Sequence, residues 1–288
     1  MGIRTDLAVE RREMAAENCE GVTSEELSVG SARITRIAVT SPAGAAAVGK
    51  PMGRYVTIEV PPFSDETAAD DTRRSAITVE LRRMLPPEGP VLVAGLGNSD
   101  ITPDALGPKT AESILATRHV SETLANALGL GPLRPVSVIA PGVLGKTGIE
   151  TAEIIRGVVT QVQPAAVIVI DALASRRLAR LGCTVQIADT GITPGSGVGN
   201  ARKAIDQTVL GVPVIAVGVP TVVDAATLAA DLLGGETAPE NAGGDQPPMM
   251  VTPREIDTVI SHAADLVALA VNCALHPDLD PGLLMELV

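Results

Sequence analysis

The chain alternates between apolar runs and polar breaks that contain Pro or Gly, and this pattern predicts an α/β fold. Uninterrupted apolar runs at 91–94 and 165–170 are typical of strands buried on both faces of a parallel sheet. Helical segments between the strands indicate crossover connections, which keep successive strands parallel. We expect the core strands at 90–95, 135–139, 166–171, 184–188 and 212–217. We expect the core helices at 109–128, 148–162, 200–208 and 221–233.

The segments outside this core are either more polar or do not belong to the series of alternating strands and helices. The strands among them alternate polar and apolar residues, as half-exposed strands do. The last helix has Thr252 as its expected N-cap and Pro253 in its first turn. We expect an extended arm leading into a helix at 4–14, two strands at 32–39 and 53–60, and a charged helix at 66–85. Near the other end we expect a flexible Gly/Pro-rich loop at 234–248 and the last helix at 252–275. The whole pattern predicts a mostly parallel sheet flanked by helices, with a small N-terminal strand and helix elaboration.

Composition narrows the classes of partner. The 288 residues are 45% hydrophobic but only 1% aromatic, so the core must be packed with Val, Ile, Leu and Ala, and stacking platforms for single-stranded nucleic acid are not expected. A net charge of −12 repels nucleic acid and anionic membranes. Three widely spaced cysteines predict neither a disulfide framework nor a zinc site, which is typical of a reducing cytoplasm. The charged N-terminus has no apolar signal segment, and every long apolar run can be a buried strand or helix.

A loop after the first core strand carries the first candidate catalytic carboxylate. Gly95 and Gly97 follow the strand and allow a tight turn with a close backbone approach. Asn98 lies in the same turn, and Asp104 follows before the next predicted helix. Ligands and chemistry collect outside the carboxyl ends of strands in open α/β sheets. The position therefore makes Asp104 a candidate functional residue, with Asn98 as a candidate for lining the site.

Asp171 is the second candidate, because it follows an apolar run that has the character of a buried strand. If both strands end at the same edge of the sheet, Asp104 and Asp171 lie close together. Two neighbouring carboxylates share a proton because like charges at close range cannot both ionise. One then acts as a base toward water and the other as an acid toward a carbonyl. The alternative is that each carboxylate caps a helix or braces a loop.

Other residues are weaker candidates for lining such a site. Asp189 stands in an Asp-Thr-Gly triplet, but aspartic proteases with that triplet need two copies on an all-β scaffold. Glu150 precedes the body of a predicted helix and could reach the site, or it could cap the helix. The Gly-rich stretch at 194–200 indicates a loop beside the site and matches no phosphate-binding pattern in full.

The histidines do not indicate a metal centre. His119, His262 and His276 are scattered and form no pair at metal-ligand spacing. A metal site built from Asp104, Asp171 and one histidine has no support in the pattern. We therefore expect neither a metal nor an organic cofactor.

An ordered series of motifs along the chain resembles the germination protease family of spore-forming bacteria. The series covers most of the chain, and so many blocks in the same order are specific. The blocks are Gly95–Asn98, Thr102–Pro108, Ala140–Val143, Gly148–Thr151, Ile170–Ala174, Asp189–Ile192, Pro194–Asn200, Gly218–Ala225 and Val251–Pro253. The first two blocks are also similar to hydrogenase maturation endopeptidases, which suggests a shared α/β scaffold.

The resemblance implies an endopeptidase that degrades small acid-soluble spore proteins during germination, in the cytoplasm of the spore core. The family is an atypical aspartic-type protease, and its proposed catalytic pair falls on Asp104 and Asp171. The resemblance also implies a zymogen, a homotetramer, and no cofactor, nucleic-acid or membrane partner. Two alternatives stay open, namely a metal-dependent endopeptidase of the hydrogenase-maturation type and a non-catalytic protein that binds spore proteins.

The same resemblance places a processing site near the N-terminus. Family substrates have an acidic residue before the cut bond, then a bulky apolar residue, Ala, a variable small residue and Glu. Residues 5–10 read Thr-Asp-Leu-Ala-Val-Glu and fit that order. We therefore predict self-cleavage between Asp6 and Leu7, with residues 1–6 as the propeptide and 7–288 as a single α/β catalytic domain.

Overall fold

The structure is a computed structural model, and it describes residues 4–16, 19–65, 71–234 and 249–288. The strands are β1 Val22–Val29, β2 Ala32–Val39, β3 Gly53–Glu59, β4 Val91–Gly95, β5 Val136–Ile139, β6 Ala166–Ser175, β7 Thr184–Ala188, β8 Val214–Asp224 and β9 Met250–Val251. The helices are α1 Ala8–Met14, α2 Pro42–Val48, α3 Asp71–Arg82, α4 Leu106–Glu112, α5 Glu122–Ala127, α6 Leu144–Thr147, α7 Thr151–Val162, α8 Gln207–Leu210, α9 Ala225–Leu232, α10 Ile256–Leu275 and α11 Pro281–Glu286. Short 3-10 helices lie at Thr102–Asp104, Leu178–Arg180 and Ser196–Val198.

All of these strands join one sheet in the order β1-β2-β3-β7-β8-β6-β4-β5, with β9 paired to β8. The central strands β8, β6, β4 and β5 run parallel to one another. The strands β1, β2, β3, β7 and β9 pair antiparallel. The predicted α/β fold with helices flanking the sheet is confirmed, and the sheet is mixed, with the predicted parallel strands at its centre. The N-terminal strands extend this same sheet through the pairing of β3 with β7.

Apolar side chains fill both faces of the central strands, as helix-covered parallel strands require. Successive residues of β6 divide between the faces: Ile168 and Ile170 pack with α3, α4 and α10, whereas Val167 and Val169 pack with α7 and α8. A third cluster joins α1 to β2, β3 and β6. Helix α10 is long and apolar enough to cross a membrane, but most of it is buried inside the protein, where it packs against α3 and α4.

Close backbone approach fixes the loop that follows β4. Gly97 has a φ of +118°, and a Cβ there would lie 2.0 Å from the carbonyl oxygen of Asp104. A Cβ on Gly107 would lie 2.2 Å from the carbonyl oxygen of Leu96 and 2.5 Å from that of Ile170. Glycine is the residue that permits contacts this short. The loop and the start of α4 therefore sit directly on β4 and β6.

Two core strands run further than the sequence predicts. β6 continues to Ser175 and β8 to Asp224, and the two pair along this extra length. The prediction that Asp171 follows the end of its strand is wrong, because Asp171 lies inside β6, opposite Gly218. The apolar run stops at a polar side chain, whereas the strand is defined by backbone pairing, which continues past it.

The predicted single helix at 109–128 is also wrong, because α4 and α5 are separate elements. Asn272 of α10 intervenes after α4. Its side-chain oxygen accepts from the Leu115 amide at 3.0 Å, and its side-chain nitrogen donates to the Ser113 carbonyl at 3.0 Å. A buried amide from a distant helix thus satisfies the backbone groups that would otherwise continue the helix.

Three smaller differences have local causes. The sequence pattern does not predict β1, because β1 is a polar, largely exposed edge strand, which in the described part of the chain pairs with β2 alone. The predicted helix at 200–208 is reduced to α8, since Ile192 and Ile205 pair with each other as extended backbone. The last helix begins later than predicted, because the Thr252 hydroxyl donates to a β8 carbonyl at 2.9 Å instead of capping the helix.

Some predicted features fall on residues outside those that the structure describes. They are residues 1–3 of the propeptide, the first five residues of the helix predicted at 66–85, and positions 235–248 of the loop predicted at 234–248.

The close approach at Gly107 gives a stability prediction. Gly107→Ala should destabilise the protein by about 1–3 kcal/mol, because the new methyl group overlaps two backbone oxygens. Gly157→Ala is the matched control, since Gly157 is exposed in α7 and a Cβ added there would point into open space. That change should stabilise the helix by about 0.5–1 kcal/mol. Thermal and urea unfolding measure both, and equal melting temperatures for the two variants would contradict the prediction.

Candidate active site

Asp104 lies in the loop after β4, which Gly97 and Gly107 allow to pack closely against the sheet. The backbone amide of Asn98 donates to Asp104 Oδ2 at 2.8 Å and to its carbonyl oxygen at 3.1 Å. The Thr221 hydroxyl of β8 donates to the adjacent Pro103 carbonyl at 2.7 Å, which ties this loop to a second strand. Burial raises the pKa of the Asp104 carboxyl, and the Asn98 hydrogen bond partly opposes that effect. The carboxylate is therefore fixed in place and partly withdrawn from water.

Asp171 is buried in the middle of β6, with 5% of its surface exposed. Its Oδ1 accepts from the Ala172 amide at 3.0 Å. Burial raises the pKa of Asp171 well above its ordinary value, and the negative charges of Asp104 and then Asp6 raise it further. The structure thus brings the two predicted carboxylates close enough for their charges to interact. Interacting like charges of this kind disfavour ionisation of both carboxyls at the same time.

The N-terminal segment lies along the end of β6 and adds a third carboxylate. The Asp6 amide donates to the Ala174 carbonyl at 2.9 Å, and the Ala174 amide donates to Asp6 Oδ2 at 2.9 Å. The Ser196 hydroxyl donates to Asp6 Oδ1 at 2.8 Å. A Cβ on Gly197 would lie 2.1 Å from Asp6 Oδ2, so the loop approaches this closely only because residue 197 is glycine. Asp6 is therefore held through both its backbone and its side chain, as a residue of a bound peptide would be.

The residues after Asp6 are held as firmly. Leu7 and Ala8 are fully buried in the cluster formed with β2, β3 and β6, and Val9 belongs to the same cluster. Glu10 is also fully buried, and its carboxylate accepts from the amides of Arg176 at 2.6 Å and Arg177 at 3.0 Å. The Arg180 guanidinium lies 3.5 Å from the same carboxylate. Every side chain from the predicted cut to Glu10 is thus packed or paired.

The carbonyl oxygen of Asp6 has two side-chain donors. Lys50 Nζ lies 2.7 Å from it and Gln186 Nε2 lies 3.1 Å from it. Gln186 Oε1 accepts from the Ala8 amide at 2.6 Å, so one side chain spans the predicted cut. Burial lowers the pKa of Lys50, and the charge of Asp6 opposes this effect. A cavity of about 280 Å³ opens beside these groups and is lined in part by Leu173.

Gln186 and Asp171 lie in one row across the sheet, because both are opposite Gly218 of β8. Residues that pair across neighbouring strands point to the same face. Asp171 therefore points to the face that Leu173 shares with α1. Two strand spacings separate Asp171 from Gln186, which is roughly 10 Å. Asp6 interacts with both residues, because its carbonyl accepts from Gln186 and its charge acts on Asp171.

The remaining sequence candidates, Asn98, Asp189 and Glu150, differ in their contacts. Asn98 holds Asp104 through its backbone amide, and its side-chain oxygen accepts from the Asp100 amide at 3.1 Å. Asp189 follows β7, which runs antiparallel to β8, and its carboxylate accepts from the Arg54 amide and Nε, both at 2.7 Å. Asp189 thus links the end of β7 to β3. Glu150 precedes α7, and its side chain makes no capping hydrogen bond.

Sequence reasoning missed Lys50, Gln186 and Arg180. A polar Gln186 inside the otherwise apolar end of β7 is unusual, and it was the one feature that could have singled this residue out. Lys50 follows the left-handed Gly49 at the end of α2, which looks like an ordinary helix end in sequence. Arg180 lies in a basic stretch that has the composition of an exposed turn. Within the described residues, no group of three or more His, Cys, Asp or Glu side chains is placed to hold a metal ion.

The protein thus has an α/β fold in which two interacting carboxylates lie beside a bound peptide segment. This combination defines a candidate peptide hydrolase. The chain belongs to the germination protease family, whose sequence model matches residues 3–234. It is 43% identical to the germination protease of Caldanaerobacter subterraneus subsp. tengcongensis, over 97% of this chain and 96% of that one. It is 41% identical to that of Clostridium perfringens, over 96% of both chains.

A third relative, the germination protease of Priestia megaterium, is 45% identical over 80% of this chain and 66% of its own length. The resemblance inferred from the motifs is therefore confirmed, and the protein is an endopeptidase by family. Among solved structures, the [NiFe] hydrogenase maturation protease HycI of Thermococcus kodakarensis is similar with a TM-score of 0.38 and 18% identity, over 67% of this chain and 98% of that one. A likeness of that size supports no conclusion about chemistry.

The raised pKa of Asp171 predicts how stability depends on pH. A carboxyl whose pKa is higher in the folded than in the unfolded state favours folding at low pH, and this contribution is lost as the pH rises through the folded-state pKa. Asp171→Asn removes that loss and keeps the oxygen that accepts from Ala172. The variant should therefore melt at a higher temperature than the wild type at pH 7, and the difference should shrink toward pH 4.

Thermal unfolding between pH 4 and pH 8 measures this difference. Asp100→Asn is the control, because Asp100 is exposed and paired with Lys146, and its replacement should change the melting temperature little. A lower melting temperature for Asp171→Asn than for the wild type at pH 7 would show that the buried carboxylate is not a source of instability.

Proposed function

We propose that this protein is a self-processing endopeptidase that degrades small acid-soluble spore proteins during germination, with Asp104 and Asp171 as an aspartic-type pair. The observation that carries the proposal is that Asp171 is buried inside β6, on the strand that binds the chain's own Asp6, and that burial and then the Asp104 charge raise its pKa. In such a pair one carboxyl keeps its proton and the other is ionised at the same pH. The ionised member accepts a proton from water, and the protonated member acts as an acid toward the substrate.

The N-terminal segment supports the choice of Asp6–Leu7 as the processing site. Asp6 is bound through its side chain, Leu7 enters an apolar cluster, and Glu10 is received by backbone amides and Arg180. These are the positions at which the family's substrate pattern requires an acid, an apolar residue and Glu. Residues 1–6 are then the propeptide, and 7–288 form the catalytic domain.

The proposed function also includes the substrate, the oligomeric state and the cellular compartment of the enzyme. The substrates are small acid-soluble spore proteins, the enzyme is a homotetramer, and the reaction takes place in the cytoplasm of the spore core. The net charge of −12 supports the absence of a direct nucleic-acid or membrane partner.

Removing either carboxylate should abolish proteolysis. Asp104→Asn and Asp171→Asn should each lower the rate of spore-protein cleavage by at least about 100-fold, because each removes a proton-transfer group. Cleavage by the wild type should also fall as the pH rises through the raised pKa of Asp171, because the pair then loses its shared proton. Gel or mass analysis of a purified small acid-soluble spore protein measures both, with Asp100→Asn as the exposed-carboxylate control.

Full activity in either Asn variant would end the aspartic-type proposal. Loss of activity with a chelator, with recovery on adding a divalent cation, would instead support a metal-dependent endopeptidase. A stable complex with uncut substrate would support a binding protein without catalysis.

The processing site makes a separate prediction. The matured wild-type chain should begin at Leu7, and the full-length Asp171→Asn chain should keep its original N-terminus under the same conditions. N-terminal sequencing and intact mass measure both. A mature terminus at another residue would show that the cut was assigned wrongly, whatever the catalytic groups are.

A further inference from the structure

We infer that Lys50 and Gln186 form the donor pair that polarises the carbonyl of the cut Asp6–Leu7 bond and stabilises the oxyanion formed during hydrolysis. This inference rests on the proposed function, in which that bond is the one hydrolysed. It assigns catalytic roles to two residues outside the carboxylate pair.

Two donors from separate elements converge on one oxygen. Lys50 Nζ and Gln186 Nε2 lie 2.7 and 3.1 Å from the Asp6 carbonyl oxygen. Donors that stabilise an oxyanion act at about 2.7–3.1 Å from the oxygen that becomes charged. A single neutral donor would satisfy an ordinary carbonyl, whereas here a cation and an amide share it. The geometry suits an oxygen that gains negative charge.

Both donors are fixed before any reaction begins. Lys50 follows Gly49, whose φ of +66° ends α2, and its Nζ donates to the Asp6 carbonyl. Gln186 is buried in β7, and its Oε1 accepts from the Ala8 amide at 2.6 Å. Because that oxygen faces an N–H group, the Nε2 group must face the Asp6 carbonyl. Fixed donors of this kind need no reorganisation when charge develops.

A protonated Lys50 can act on this carbonyl directly. Among the residues that the structure describes, no carboxylate forms an ion pair with Lys50, and the hydrogen-bond acceptor of its ammonium is the Asp6 carbonyl oxygen. A cation in a partly dehydrated site interacts more strongly with a developing negative charge than it would in water. Lys50 can therefore act on the reacting carbonyl without first leaving a carboxylate partner.

In the proposed reaction, the donor pair holds the carbonyl oxygen while the carboxylate pair moves the protons. Water adds to the Asp6 carbonyl carbon, one of its protons passes to the ionised carboxylate, and the electron pair of the C=O bond moves onto the oxygen held by Lys50 and Gln186. The C=O bond then re-forms, the C–N bond breaks, and the protonated carboxyl gives its proton to the Leu7 nitrogen. The products are a carboxylic acid at Asp6 and an amine at Leu7, and the carboxylate pair again holds one proton.

The test compares self-processing of full-length variants by intact mass under conditions in which the wild type is cut at Asp6–Leu7. Lys50→Met should slow processing by about 10²–10³-fold, the usual effect of removing one oxyanion donor. Lys50→Arg should recover part of the rate, because it restores a charged donor. Gln186→Met should also slow processing, and Lys109→Met is the matched control on an exposed lysine of α4.

A second readout separates catalysis from docking. Hydrogen exchange of the Leu7 and Ala8 amides is measured in uncut Asp171→Asn chains with and without Lys50→Met. We expect the same protection in both, so that the slow processing reflects chemistry. Loss of protection with Lys50→Met would overturn the inference by showing that Lys50 only positions the segment. Processing of Lys50→Met within about twofold of the wild type would overturn it as well.

These outcomes are distinguishable from failure of the proposed function. If the wild type is not cut at Asp6–Leu7, the processing site itself is wrong and the donor pair loses its substrate. If the wild type is cut there, the Asn variants are inactive and Lys50→Met is unimpaired, then only the donor pair is wrong.

Discussion

A carboxylate buried inside a central strand is the constraint on which the rest of the site depends. Asp171 cannot ionise cheaply, because burial and two neighbouring negative charges act on it together. The apolar side chains packed on both faces of β6 hold the strand in place and offset the destabilisation caused by the buried carboxylate. The glycines at 97 and 107 then bring the Asp104 loop directly onto the same strands. Carboxyl groups whose pKa is strongly shifted by burial and neighbouring charges are typical of functional sites.

The two halves of the sheet contribute different parts of the site. The parallel half supplies Asp104 and Asp171 from β6 and the loop after β4. The antiparallel half supplies Gln186 from β7, and α2, between β2 and β3, supplies Lys50. The N-terminal segment crosses the junction between the halves and contacts both. The antiparallel extension is therefore part of the candidate active site rather than an appendage to the parallel core.

The sequence predicts the parallel centre well, because strands buried on both faces must be continuously apolar. It fails where distant contacts decide the local structure, as where Asn272 interrupts the helix predicted at 109–128. The carboxylates Asp104 and Asp171 could be found because each follows an apolar run. Lys50 could not, because its role depends on a chain reversal at Gly49 and on a segment more than forty positions away, which no local pattern encodes.

Helix α1 begins at Ala8, and Leu7 is its N-cap. Hydrolysis before Leu7 would create a free ammonium group at the end of the helix where the peptide dipoles already concentrate positive charge. Like charges at that end cost roughly 0.3–1 kcal/mol. The new terminus would therefore be less stable in this position than the intact chain, and the repulsion would weaken the packing of the first helix against the sheet.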